Sequence, residues 1–227
     1  MEKSFFENNP IDGFDSETSK YLYSLFASIS NVDSSYIYCD SYHSEEDIEH
    51  VERAFAYELY HQWCNNSIIK NCKNLIVNAE IPKELICEAK NFKKSLTYPD
   101  MVLHHGQNDY KGNLIICEIK RDSYARQNPD KVLEDFDKLN IYLSDKLKVK
   151  RNNEDWEPFR IGVFIMTDKE NTKSPLSVHK IFQYLGKKVE TIMKYHDDIK
   201  QRIVCVVYNG KELKYDILYN LTNKNNI

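Results

Sequence analysis

The chain has 227 residues, a formal net charge of -4, 41% hydrophobic and 12% aromatic residues, and only six glycines and six prolines. That is the size of one large or two small domains, apolar enough for a substantial core and too apolar for a disordered chain. It is also too poor in glycine and proline for a collagen-like, linker-rich or propeller-like one.

No run approaches the roughly 18 apolar residues of a membrane helix, and Met1–Pro10 lacks the basic start and apolar stretch of a signal peptide. A cytoplasmic protein with no membrane partner is expected. The six cysteines (Cys39, Cys64, Cys72, Cys87, Cys117 and Cys205) include no CxxC pair. They read as reduced thiols, not as a disulfide frame or a zinc site. Residues 1–60 hold three Lys/Arg against thirteen Asp/Glu, leaving 28 basic and 22 acidic residues for the rest. An acidic front on a mildly basic body suits a protein partner at the front and a polyanion on the body, and it equally suits ordinary solvated faces.

In chain order, Asp15 or Ser16 is placed to cap a helix with Leu22, Leu25, Phe26 and Ile29 on one face. Residues 31–42 read as an irregular connection. Ser44, with Asp47 three positions on, resembles a capping box and opens a helix to about Trp63. Strands are expected over Asn74–Ile81, stopped by Pro82, over Asp100–His105, and over Asn113–Lys120 after the turn signal Asn108–Gly112. A helix from Pro129 to about Leu143 carries Val132, Leu133, Phe136 and Leu139 as its apolar stripe. The nearly all-apolar strand Arg160–Thr167 is of the kind buried on both faces. A helix from Ser177 to Tyr195 and a strand Arg202–Tyr208, closed by Asn209-Gly210, complete the pattern.

The early strands are spaced for an antiparallel meander, and the later ones, separated by helices, for parallel entry through right-handed crossovers. The expected class is α/β, a mixed central sheet flanked by helices. Residues 1–42 form an acidic helical extension, 43–219 the body and 220–227 a frayed tail.

The chemistry concentrates at two strand ends. Pro99-Asp100 opens the second strand and Cys117-Glu118-Ile119-Lys120 ends the third. Side chains alternate along a strand, so Glu118 and Lys120 share a face. Charges after an apolar run on a central strand need a partner or a job, because burying an unpaired ion costs several kcal/mol. A hairpin-like connection brings Asp100 alongside Glu118, and two carboxylates at one point repel unless a cation such as Mg²⁺ lies between them. The leading helix supplies a third acid. With Glu52 as zero, Ile48, Phe55, Leu59 and Trp63 all fall within about 60° of it, whereas Glu58 lies about 120° away. Glu52 thus sits inside the apolar stripe, and its alternative reading is an acid neutralised by Arg53 or a core hydroxyl.

Asp100 behind a proline, Glu118-Ile119-Lys120 eighteen residues later, and a helix next resemble the PD-(D/E)xK nuclease superfamily, the restriction-endonuclease-like fold. The order helix, three strands, helix, strand over residues 44–167 is similar to that family's αβββαβ core, with the later helix and strand as an α/β extension. The resemblance implies a nuclease that hydrolyses DNA phosphodiester bonds with Mg²⁺, Mn²⁺ substituting. Asp100, Glu118 and the Ile119 carbonyl would hold the metal. Lys120 would orient or help deprotonate the attacking water, and Glu52 would complete the site through a metal-bound water or a second ion. It leaves open a catalytically silent module of the same fold that binds nucleic acid or a protein, and a possible homodimer.

Downstream, Asp135–Tyr142 resembles the helix that some of these families place beside the site. Lys138 is available there for a backbone phosphate, or else belongs to solvated acid–lysine pairs. Arg121, Arg126 and Lys131 either track a phosphate chain or solubilise the surface. His104 and His105 extend the second strand as polar strand ends. Tyr57, Tyr60, His61 and Trp63 read as helix packing and rim residues.

Overall fold

The computed structural model describes residues 11–37, 45–79, 99–106, 112–144, 150–151, 154–155, 158–168 and 175–223. The Ser44 cap, the Pro82 stop, the turn residues 108–111, Cys39, Cys87 and residues 224–227 lie outside them. Helix α1 (Ser16–Ser30) starts where the Asp15 side chain accepts the backbone N–H of Thr18, at 2.7 Å. Its stripe of Leu22, Leu25, Phe26 and Ile29 is buried. Helix α2 (Glu45–Asn65) buries Phe55, Leu59 and Trp63 beside it, while Tyr57 and Tyr60 stay exposed. The Trp63 indole N–H donates to Ser24 Oγ at 2.9 Å, so its polar atom enters the core with a partner. A single turn, α3 (Ser67–Lys70), leads into the sheet.

Strands β1 (Leu75–Ala79), β2 (Met101–His105) and β3 (Asn113–Arg121) form an antiparallel meander. Helices α4 (Asp122–Gln127) and α5 (Pro129–Leu143) follow, then a small separate hairpin of β4 (Lys150–Arg151) and β5 (Glu154–Asp155). Strand β6 (Ile161–Thr167) returns parallel to β3. Helices α6 (His179–Leu185), α7 (Val189–Met193) and α8 (Asp197–Gln201) lead to β7 (Ile203–Tyr208), parallel to β6. Strand β8 (Leu213–Ile217) pairs antiparallel with β7, and α9 (Leu218–Asn223) ends the described chain. The six-stranded sheet runs β1-β2-β3-β6-β7-β8.

The molecule is thus mixed α/β, with helices on both faces of a mixed sheet. One face packs Leu25, Phe26, Phe55 and Trp63 against Cys117, Ile119, Val163 and Val206. The other packs Phe136, Leu139, Ile181 and Ile192 against Ile116, Phe164 and Cys205. Strands β6 and β7 are buried along their whole length, which is why they read as unbroken apolar runs. Gly162 on β6 lies under α5, where an added Cβ would come within 3.1 Å of Leu143 Cδ1 and 3.3 Å of Leu139 Cδ2. Its missing side chain lets α5 ride close over β3 and β6.

Three expectations change. The helix over 177–195 is broken, because Gly186 takes φ +52°, ends α6 and begins a turn of 3-10 helix before α7. Beyond Asn209-Gly210 the chain forms a sixth sheet strand. Residues 220–223, expected in the frayed tail, belong instead to α9, where Leu221 and Thr222 are buried. No helix among the described residues is long and apolar enough to cross a membrane.

Phe136 stacks on Phe164 with centroids 4.7 Å apart and is fully buried between α5 and the sheet. Phe136→Ala is expected to lower unfolding free energy by about 3–5 kcal/mol, read by urea denaturation.

Candidate active site

The β2–β3 register sets the site. Met101 pairs with Cys117, so Asp100, one residue earlier, comes to the end of β3, where its Oδ2 accepts the Ile119 N–H at 2.6 Å. Alternation then divides β3. Cys117 and Ile119 join the core under α1 and α2, while Ile116 faces α5. Glu118, opposite Phe164 on β6, lies on the α5 side and is 0% exposed. Lys120 stands one residue before the strand's end. There its ammonium reaches both helical layers, donating to Glu52 Oε1 on α2 at 3.0 Å and to the Ile119 carbonyl at 2.9 Å. It also faces Asp135 Oδ2 on α5 at 3.2 Å, a charge contact without hydrogen-bond geometry.

Helix α5 adds a second cation. Lys138 Nζ donates to Glu118 Oε2 at 3.1 Å and to Asp135 Oδ1, one turn back, at 2.8 Å. The backbone N–H of Arg121 donates to Glu52 Oε2 at 3.3 Å. Four carboxylates (Glu52, Asp100, Glu118 and Asp135) thus share two ammoniums. With every group ionised, the network is short by two positive charges.

The proton affinities express that shortage. Burial pushes the Glu52 carboxyl up to about 7, with Lys120 pulling it down and Asp100 and Asp135 pushing it up. Burial also raises Asp100, against Lys120 and the Ile119 N–H. Glu118 is driven well above the ordinary range, first by burial and then by Asp100 and Asp135. The lysines move the other way from a simple buried amine. Burial alone would lower them, yet the surrounding acids hold Lys120 well above its usual value and raise Lys138 too. Each ammonium gains more from several carboxylates than burial takes away, and each raised carboxylate gains less from the ammoniums than burial and its fellow acids take.

Whether such residues fit a divalent ion is decided by their spare donors. Glu118 Oε1 is buried with no hydrogen-bond partner among the described residues. A fully buried oxygen of an acid, left open in a network lacking two positive charges, suits a hard dication, which takes oxygen ligands. Among the described residues, no three His, Cys, Asp or Glu side chains are grouped as a ready-made metal cage. Lys120 stands between Glu52 and Asp135, and Lys138 between Glu118 and Asp135.

Of the expected site residues, Glu52, Asp100, Glu118, Ile119 and Lys120 come together in this network. Lys138 joins it from inside, not as a solvated helix residue. The Arg121 guanidinium donates to the Ile37 carbonyl at 3.3 Å, in the turn after α1. Arg126 is exposed on α4, where its charge lowers the proton affinities of Asp168 and Tyr184. His104 is at the far end of β2, its Nε2 2.8 Å from the Asn78 amide nitrogen. Asp135 was not among the expected site residues. Its signal was its place among Val132, Phe136 and Leu139 on the apolar stripe.

Comparison with known protein families, curated proteins and solved structures finds no match.

Proposed function

We propose that the chain is a Mg²⁺-dependent nuclease that hydrolyses phosphodiester bonds in DNA, working in the cytoplasm with its thiols reduced. The observation that carries this reading is Glu118, a fully buried carboxylate with one unpartnered oxygen, beside Asp100 and Lys120 in a network two positive charges short. The motif's resemblance to the PD-(D/E)xK superfamily supplies the reaction class. The four free cysteines among the described residues are compatible with a reducing compartment.

In this reading Asp100, Glu118 and the Ile119 carbonyl hold the ion, and Glu52 holds it directly or through water. A bound Mg²⁺ supplies charge neutralisation at the scissile phosphate and lowers the pKa of water. The chain's own groups do the positioning. Hydrolysis adds water across one P–O bond: the water oxygen joins phosphorus, the ester oxygen leaves and takes up a proton, and the water gives one up. Lys120, held protonated by the acids around it, donates a hydrogen bond to the phosphate or to the attacking water. It serves as charge and donor, not as base. Asp135 keeps that ammonium aimed between α2 and α5.

The test is cleavage of plasmid and linear DNA with Mg²⁺ or Mn²⁺, comparing the wild type with Asp100→Asn. Wild-type cleavage that falls by about 10²–10³-fold in the variant is expected. Cleavage that persists unchanged in Asp100→Asn sinks the assignment. DNA binding without cleavage by any preparation of the wild type moves the reading to a silent module.

A further inference from the structure

We infer that Lys138 is a built-in counter-cation of this site, one that neutralises Glu118 until a divalent ion displaces its ammonium. The inference rests on the proposed metal site and adds to it a residue outside the motif.

Three observations carry it. First, Lys138 Nζ lies 3.1 Å from Glu118 Oε2, whereas Lys120 bonds to Glu52 and the Ile119 carbonyl and has no hydrogen bond to Glu118. Glu118's charge is therefore met by Lys138. Second, the other Glu118 oxygen is buried and unpartnered, so Lys138 satisfies only half of a carboxylate that tolerates no solvent. Third, Lys138 has a second anchor. Asp135 Oδ1, 2.8 Å away on the same helix, keeps a hold on the ammonium if Glu118 is lost. An ion bound to Glu118 at roughly 2.1 Å would stand within a few ångströms of the Lys138 ammonium, and like charges that close in a dry site repel strongly. One of the two has to leave Glu118, and Lys138, retained by Asp135, is the one with somewhere to go.

The ammonium thereby keeps Glu118 in place while the site is empty of metal. Once released, it is a second positive group near the bound phosphate, so metal loading and substrate attraction are coupled through one side chain.

The experiment is amine labelling of the full chain with acetic anhydride, read peptide by peptide in the mass spectrometer, without metal and at saturating Mg²⁺. Titration calorimetry with Mn²⁺ runs in parallel. Lys131, on the same helix and half exposed to solvent beside Glu134, is the internal reference. Labelling of Lys138 is expected to rise several-fold with Mg²⁺ while Lys131 stays constant. In Glu118→Gln, Lys138, held by Asp135 alone, should label faster than in the metal-free wild type and respond little to Mg²⁺. If Mn²⁺ binds but Lys138 labelling stays flat or falls, this inference is overturned and the nuclease reading stands. If the wild type binds no Mn²⁺ at all, the metal site itself fails and takes the inference with it.

Discussion

Glu118→Gln is expected to make the metal-free protein more stable at neutral pH, by about 1–3 kcal/mol, and, on the proposed nuclease reading, to abolish cleavage. The side chain is fully buried and its carboxyl is driven well above the ordinary carboxylate range by burial, Asp100 and Asp135. The sign follows from that direction. A carboxyl whose folded pKa is raised binds its proton more tightly folded than unfolded. Its contribution to stability is therefore most favourable at acid pH and is lost as pH climbs above the unfolded value, near 4.5. Glutamine has the shape and carries no such penalty. Urea midpoints of the two proteins should coincide at about pH 4 and separate towards about pH 7, the variant above the wild type. Millimolar Mg²⁺ should then raise the wild-type midpoint and leave the variant where it was, since only a ligand that binds the native state stabilises it. A variant less stable than the wild type at neutral pH would show that Glu118 is a structural anion satisfied by Lys138, and the reading of a waiting metal ligand would go.

Most of the architecture was open to a reading of periodicity and punctuation. Strands β3, β6 and β7 announce themselves because both of their faces are covered, and α5 because Pro129 opens a clean stripe. The missed strand β8 had a signal as well. Asn209-Gly210 alone reads as an end, yet with Leu213, Tyr215 and Ile217 alternating after it the pair is a hairpin turn, and Gly210 adopts φ +85°. The broken helix was marked by Gly186, whose place in a regular apolar pattern gave no hint that the backbone would turn left-handed there.

The site divides in the same way. Glu52 is marked in the sequence as an acid inside an apolar stripe, and on α5 Asp135 carries the same mark. With Val132 as zero, Asp135 lies at about -60°, between Leu139 at about -20° and Tyr142 at about -80°. Reading Asp135–Lys138 as a solvated i,i+3 pair concealed it. What periodicity cannot supply is who holds whom. Lys120 meets a glutamate 68 positions away because β3 ends where α2 and α5 both overhang the sheet. The division of four acids between two lysines is a property of that overhang, not of any local pattern.

Lys120→Met, which removes a cation from the same network, should act in the opposite direction on stability. The ammonium donates to Glu52 and the Ile119 carbonyl and faces Asp135, with a side chain only 11% exposed. Methionine fills the space but leaves two buried acids with less positive charge between them. Breaking a buried ion pair from one side costs about 3–5 kcal/mol, because the abandoned charge stays buried. Metal-free Lys120→Met is therefore expected to lose stability by about that amount near neutral pH and to regain part of it on acidification, as protons replace the missing ammonium on Glu52 and its neighbours. Glu52→Gln in the same chain should restore part of the loss at neutral pH, since it removes one of the stranded charges, and a double-mutant cycle measures the coupling. On the proposed nuclease reading cleavage should not return in that double variant, because Lys120 would then serve stability and phosphate binding separately. If Lys120→Met were as stable as the wild type, the acids would not depend on their lysines, and the deficit of positive charge from which the metal site is argued would not exist.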